Sequence, residues 1–343
     1  LTATPGSMES HSKLYLDLHP ARFPGDNHYT FDPRQFAGWV PHHHISDRWP
    51  SGPWYWLFET LGFPDWVAHR LWIGTVLLLA GLGARWASRL LGFSAAAAAT
   101  AAVLYQVTPY VLPYVSRTSV MLLPFAGLGW IVGLTVLATR RSGWGAPAGI
   151  ALVVLTVGAV NATALAMIVP GPLLWLLHST WAGSTSVRRA MTVAGQTAVL
   201  CLGVSLWWVA MLAVQARHGV DVIAFSEALP DVALTSTAPE VLRSLGYWLF
   251  YVRDSFGPAT SESLGYLTSS RFIVLSYAVP VAGAFGLVAV RWAHRRFAAW
   301  LVGAGILLGV GVHPTDDPAP LVDLLTGGGE AGLAEALRSS TRA

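Results

Sequence analysis

Trp66–Leu91 reads WVAHRLWIGTVLLLAGLGARWASRLL, an apolar run that starts just behind Asp65 and carries Arg85 and Arg89 near its far end. At 1.5 Å of rise per residue its apolar part crosses the roughly 30 Å of a bilayer's hydrocarbon layer as one helix. The rest of the chain repeats this pattern. Its 343 residues are 54% hydrophobic and only 11% charged, with a mean hydropathy of +0.51, whereas a soluble domain carries about 25% charged residues. The composition predicts an all-α, polytopic transmembrane bundle. A net charge of +3, with Lys13 the single lysine, gives no nucleic-acid footprint. Cys201, the single cysteine, lies in the apolar run TAVLCLGV. It excludes a disulfide within the chain and reads as an inert thiol. The chain opens on Leu1 with no signal peptide, and we expect a membrane helix upstream of this segment.

Ahead of that run, residues 1–53 are polar and rich in Pro, Asp and His, with Trp39 and Trp49 toward the end. Such a segment cannot lie among lipid tails, its aromatics argue against disorder, and loops this long in compact folds are commonly functional. It reads as a first outer loop. GPWYWLFETLGFP then places Trp54, Trp56, Leu57 and Phe58 on a short amphipathic helix at the interface.

Behind it, SAAAAATAAVLYQV is followed by TPYVLPYV, whose prolines break the helix into an irregular return. Further spans are SVMLLPFAGLGWIVGLTVLAT, the pair GAPAGIALVVLTVGAV and ALAMIVPGPLLWLLH turning at Asn161–Thr163, and RAMTVAGQTAVLCLGVSLWWVAMLAV. Residues 54–214 thus form a transmembrane bundle with its interfacial helix. A second outer loop covers 215–270, two more spans occupy 271–312, and a truncated outer loop covers 313–343. About eight spans result. The arginines at 85/89, 140/141, 188/189 and 291/295/296 fall in alternate short loops. The positive-inside rule makes those loops cytoplasmic, and every long loop, with nearly all the acids, then faces outward.

Three adjacent histidines, His42–His44, invite a metal, but neighbours in sequence do not converge on one ion, and loop histidines bonded to sugar hydroxyls or water fit as well. Glu227 in VIAFSEALPDV is an acid in a mildly apolar stretch, where partial burial raises a carboxyl's pKa and suits it to proton transfer. Asp17, in KLYLDLHP, sits in a similar alternating pattern. Arg243 and Arg253 flank LGYWLFYVRD and could offer bidentate contacts to a lipid phosphate. The alternative is an interfacial aromatic belt with snorkelling arginines. No Gly-rich phosphate loop, nucleophile elbow or paired-cysteine motif appears. A rival class is a non-catalytic polytopic envelope protein, either a lipid flippase or an assembly partner. Ion-coupled transport calls for ionisable groups inside the spans, and here Gln196 and Asn161 are the main polar residues there.

Taken in order, PSGPWYWLFETLGFPDWVAHRLW, QVTPYVLPYV, GAVNATALA with PGPLLWLL, SLWWVAML, and FSEAL followed by TSTAPEVLRSLGYW resemble the N-terminal membrane region of actinobacterial α-(1→3)-arabinofuranosyltransferases. The resemblance spans nearly the whole chain. It implies a GT-C-type fold and inverting transfer of arabinofuranose from decaprenyl-phosphate-arabinose to cell-envelope arabinan, outside a bacterial plasma membrane that the chain crosses several times. The polyprenyl-phosphate donor, the arabinan acceptor and membrane lipids are the implied partners. No cofactor is implied, and a divalent metal is left open. It also implies a longer protein with carbohydrate-binding modules, of which Leu1–Ala343 is a fragment. A GT-C enzyme places a catalytic Asp in the first outer loop. His11 stands at the matching place here, in His11-Ser12-Lys13, and Asp17 offers a carboxylate nearby. Glu227 matches a loop glutamate of the family, and Asp32, in FDP, matches its Trp-Asp-Pro. The implied catalytic set is Glu227, His11 and Asp17, with Arg253 and Arg243 toward the donor phosphate and Asp32 and Trp39 toward the substrate.

Overall fold

The computed structural model describes residues 5–8, 20–26, 29–33, 38–41, 44–160, 162–220, 231, 233–260, 263–311 and 313–314. Among them, five helices are long and apolar enough to cross a membrane: Asp65–Leu90, Ser119–Arg140, Ala164–Trp181, Val187–His218 and Ser270–Ala289. A sixth arises if the bent pair Ala95–Gln106 and Val111–Arg117 counts as one span. The expected break falls where the sequence puts it, since Pro109 cannot continue a helix through Thr108. Two other expected spans are shorter. Gly145–Val157 and Arg295–Val310 have 13 and 16 residues, about 20 and 24 Å of helix.

In chain order the α-helices of five residues or more are α1 (Gly52–Thr60), α2 (Asp65–Leu90), α3 (Ala95–Gln106), α4 (Val111–Arg117), α5 (Leu122–Arg140), α6 (Gly145–Val157), α7 (Ala162–Ile168), α8 (Pro170–Trp181) and α9 (Val187–His218). They continue with α10 (Ala238–Leu242), α11 (Ser263–Thr268), α12 (Ser270–Ser276), α13 (Ala278–Ala289) and α14 (Arg295–Val310). The strands among the described residues are β1 (Arg253–Asp254) and β2 (Gly257–Pro258), an antiparallel pair. The helix α9 runs through Gln215 and Arg217, past the point where the sequence places the start of the second loop.

The chain divides into two compact units. The first comprises Leu1–Gln106, Tyr114–Leu165 and Thr185–Ser226. Its centre is the pairing of α2 with α5, and small residues set the distance between them. A Cβ on Gly129 would lie 2.5 Å from the backbone carbon of Gly83. The two backbones therefore touch, as helices in lipid do where side chains are absent. Around that contact the packing is reciprocal: Trp130 lies over Gly83 and Trp86 over Gly133, with the two indoles 5.6 Å apart. Trp130 Nε1 donates to Leu79 O at 2.9 Å. The helix α3 docks on α2 by a similar device. Gly81 leaves room for the Gln106 amide, whose Nε2 donates to Leu77 O at 2.9 Å.

Arginines 85, 89, 140, 141, 188 and 189 gather at one end of this unit. Arg140 Nη1 donates to Leu90 O at 2.9 Å, at the C-terminus of α2. Arg189 Nη2, in the first turn of α9, donates to Ala138 O at 2.6 Å and to Arg141 O, at the C-terminus of α5. Arg89 Nη1 donates to Phe93 O at 2.6 Å. Carbonyls of a last helical turn lack intrahelical partners, and arginine supplies both the donor and the charge that the helix dipole favours there. At the opposite end α1 lies on the first turns of α2, and Ile45 packs against Ala159 and Trp208.

The second unit comprises Val107–Pro113, Ala166–Ser184 and Glu227–Ala343. The helices α8 and α14 meet through Trp175 against Phe297, centroids 5.3 Å apart, and Trp181 against Trp300 at 5.5 Å. His178 Nε2 and His294 Nδ1 are 3.2 Å apart, and Arg296 covers the Trp181 ring at 4.3 Å. The far end of α14 holds second-loop residues: Ser236 Oγ donates to Val310 O at 3.1 Å, and Gly309 faces Val241. This unit too keeps its arginines 295 and 296 and its long loop at opposite ends.

Gly129→Ala should force α2 and α5 apart, at a cost of about 1–3 kcal/mol. Gly74→Ala, where a Cβ meets nothing within 4 Å, should leave the unfolding temperature unchanged or slightly raised. Thermal unfolding of the two variants in detergent measures the difference.

Candidate functional site

At the opposite end of the first unit, a polar nest forms where the segment before α1 meets α2. Trp54 Nε1 donates to Ala68 O at 3.0 Å, Tyr55 Oη pairs with His69 Nδ1 at 3.0 Å, and Trp72 Nε1 donates to Ser119 Oγ at 3.2 Å. These three bonds run from α1 to α2 and from α2 to the turn before α5. Ser46, Asp47, Ser51, His69 and Ser119 are all buried. Ser51 Oγ donates to Ser46 O at 3.2 Å, closing the turn that carries Asp47.

Polar side chains are costly to bury, so a cluster of them under a loop marks either a strut or a site. Asp47 is 6% exposed, and Arg48 follows it directly. Burial holds the Arg48 guanidinium below its usual range, and the neighbouring Asp47 carboxylate opposes that shift. Arg48 Nη2 donates to Tyr29 O at 2.6 Å, so a cation and an acid are fixed side by side. Such a pair can steady an anion and accept a proton in the same place.

The second unit answers for Arg243. Its side chain is 4% exposed and each of its three nitrogens has an acceptor: Nη1 donates to Glu240 Oε1 at 2.6 Å, Nε to Ser276 Oγ at 2.7 Å and Nη2 to Tyr266 O at 2.5 Å. Tyr251 Oη donates to the other Glu240 oxygen at 2.5 Å and accepts from Gly246 N at 3.2 Å. Burial, and then the Glu240 carboxylate, push the Tyr251 phenol far above its usual range, so it stays a donor. Arg243, expected toward the donor phosphate, is thus placed as a clamp: its donors tie α10 to α11 and to the end of α12.

Arg253 differs. It lies exposed on β1, paired with Pro258 of β2, in a hairpin whose Asp254 Oδ1 accepts from Phe256 N and Gly257 N at 2.8 and 3.0 Å. Asp32 and Trp39 are brought together, exchanging both backbone bonds at 2.8 and 3.0 Å. Gly38, at φ +104°, allows that closure because the Phe31 ring occupies the space where a Cβ would stand. Glu227, His11 and Asp17 lie outside the described residues, as do His42 and His43. Among the described residues no three His, Cys, Asp or Glu side chains converge as metal ligands do. Sequence reading passed over Asp47, Arg48 and His69. The adjacent acid and base in ISDRWP and a histidine one turn inside a span were the signals.

These features define a multi-pass helical membrane protein with long polar loops and buried polar chemistry under one of them. The family model for the N-terminal GT-C domain of α-(1→3)-arabinofuranosyltransferases matches residues 1–333, and the chain belongs to that family. It is 28% identical over 321 residues to the α-(1→3)-arabinofuranosyltransferase of Mycobacterium tuberculosis, and 26% over 324 residues to that of Mycolicibacterium smegmatis. Each alignment covers 90% of this chain but 22% and 21% of the relative, so the chain spans about a fifth of their length. The fold is that of the cryo-EM structure of arabinofuranosyltransferase AftD from Mycobacteria, with a TM-score of 0.63 over 98% of this chain and 25% of that one, at 22% identity. A mutant of that protein gives 0.61 at 20% identity.

Removing one partner of the buried pair isolates the other. Arg243→Leu or Glu240→Leu should cost about 3–5 kcal/mol, and Tyr251→Phe about 1–3 kcal/mol. Arg253→Ala should stay within about 0.5 kcal/mol of the parent. Unfolding temperatures of the four variants, measured in one detergent, check the ranking.

Proposed function

We propose that this chain is the membrane catalytic domain of an arabinofuranosyltransferase, drawing arabinofuranose from decaprenyl-phosphate-arabinose and passing it to cell-wall arabinan. The observation that carries this reading is the family match across residues 1–333. The long loops face the periplasm in this reading, because the arginine-bearing ends are retained in the cytoplasm. A lipid-linked donor suits a chain whose helices present long apolar faces to the bilayer.

The transfer is inverting. An acceptor hydroxyl oxygen attacks the anomeric carbon from the face opposite the phosphate, the carbon–oxygen bond to phosphate breaks, and the bonding pair leaves with the lipid phosphate. Glu227 is our first choice for the base that takes the hydroxyl proton, with His11 and Asp17 in the first loop as partners in proton handling. Arg253, exposed on its hairpin, is our first candidate for the departing phosphate, with Arg243, clamped on Glu240, the second. Asp32 and Trp39, paired through their backbones, are proposed to meet the substrate. Phosphate is a good leaving group, so positioning and charge stabilisation supply most of the acceleration.

Membranes containing the full-length protein, supplied with radiolabelled decaprenyl-phosphate-arabinose and a synthetic arabinan acceptor, test the proposal. Transfer should occur and should fall by about 10²–10⁴-fold in Glu227→Gln. Absence of transfer by the wild type would favour a non-catalytic flippase or assembly role. Transfer that survives Glu227→Gln and His11→Ala would leave the activity and overturn the assigned base.

A further inference from the structure

We infer that the arginine-bearing end of the first unit is a docking surface for the headgroups of anionic phospholipids. The termini of three helices are tied together there. Arg140 reaches the last carbonyl of α2, and Arg189 in the first turn of α9 reaches the last turn of α5. With Arg89 on Phe93 O, these three side chains are spent on backbone. Beside each of them stands a second arginine that is not: Arg85 one turn before Arg89, Arg141 after Arg140, and Arg188 before Arg189. All three are exposed, and among the described residues their guanidinium groups make no hydrogen bond or ion pair.

Their positive charge has no counterpart in the chain nearby. Between Asp65 and Asp221 the sequence contains no Asp or Glu. The first unit's described acids, Asp26, Asp32, Asp47, Glu59 and Asp65, all precede or open α2 in sequence. Arg188 and Arg189 also occupy the first turn of α9, where the helix dipole is already positive and basic residues are disfavoured. Ser186 Oγ caps Arg189 N at 3.2 Å, which satisfies a backbone donor but neutralises nothing. Charge packed this way calls for an anion from outside the chain.

The surroundings say which anion. Phe93, Trp144, Val187 and Met191 ring the same end and are exposed, a mix of aromatic and apolar side chains suited to the depth of lipid headgroups. Below them α2 and α9 turn exposed leucines and valines outward along their length. A phosphodiester on a diacyl lipid meets both features at once, its phosphate on the guanidinium forks and its chains on the helix faces.

The test uses the full-length protein in nanodiscs of phosphatidylcholine alone or mixed with phosphatidylglycerol, read by thermal unfolding and by native mass spectrometry of retained lipid. Wild type should unfold at a higher temperature with phosphatidylglycerol and retain it preferentially. The triple variant Arg85→Gln, Arg141→Gln, Arg188→Gln should unfold as wild type does in phosphatidylcholine, lose most of the rise, and bind phosphatidylglycerol on the order of tenfold or more weakly. Arg140→Gln and Arg189→Gln should lower the unfolding temperature in both lipids. Should the triple variant fail to fold, Arg188→Gln alone, scored by retained lipid, decides: retention equal to wild type overturns the inference. So does a triple variant that keeps the full rise, or a wild type stabilised as much by inorganic phosphate as by the lipid.

Discussion

Helix-end carbonyls at a membrane surface need donors, and in the first unit arginines supply them. Arg140 on Leu90 O and Arg189 on Ala138 O join the ends of three helices, so the register of α2, α5 and α9 is set at that end. The contact of Gly83 with Gly129 then fixes how closely α2 and α5 run. What remains at the other end follows: α1 is laid across α2 by Trp54 and Tyr55, and the turn carrying Asp47 is buried beneath it. One end holds cations without acids, the other collects buried polar groups.

Within the second unit a single charged group is handled in the opposite way. Arg243 is drawn away from water and must therefore be matched atom by atom, by Glu240, Ser276 and Tyr266. A buried cation left without acceptors costs several kcal/mol, and this cluster holds the second loop to the membrane helices. Arg253, ten residues on in sequence, carries no such burden and stays exposed. Two arginines of one aromatic stretch thus have different work, decided by burial alone.

Much of this was legible in the chain. Apolar runs such as Trp66–Leu91 predict the helices, Pro109 predicts the break, and the arginine pairs predict which ends share a face. The partner of each polar side chain was not legible, because it depends on residues far apart in sequence. Gln106 finds Leu77 only because Gly81 is small, and Arg243 finds Ser276 only because α12 ends there. Asp47 looked like any solvated loop acid until the fold covered it. Glu227 and Asp17 rest on the apolar pattern around them and on family resemblance, and His11 on the resemblance; all three lie outside the described residues.

Sidedness is the claim on which the reading depends, and two positions of the first unit test it directly. With Cys201 replaced by Ser, single cysteines at Thr60, in α1, and at Ser142, beside Arg141, are exposed to solvent. A membrane-impermeant maleimide should label the first in intact cells and the second only after the membrane is opened. Labelling of both from the same side would contradict the account.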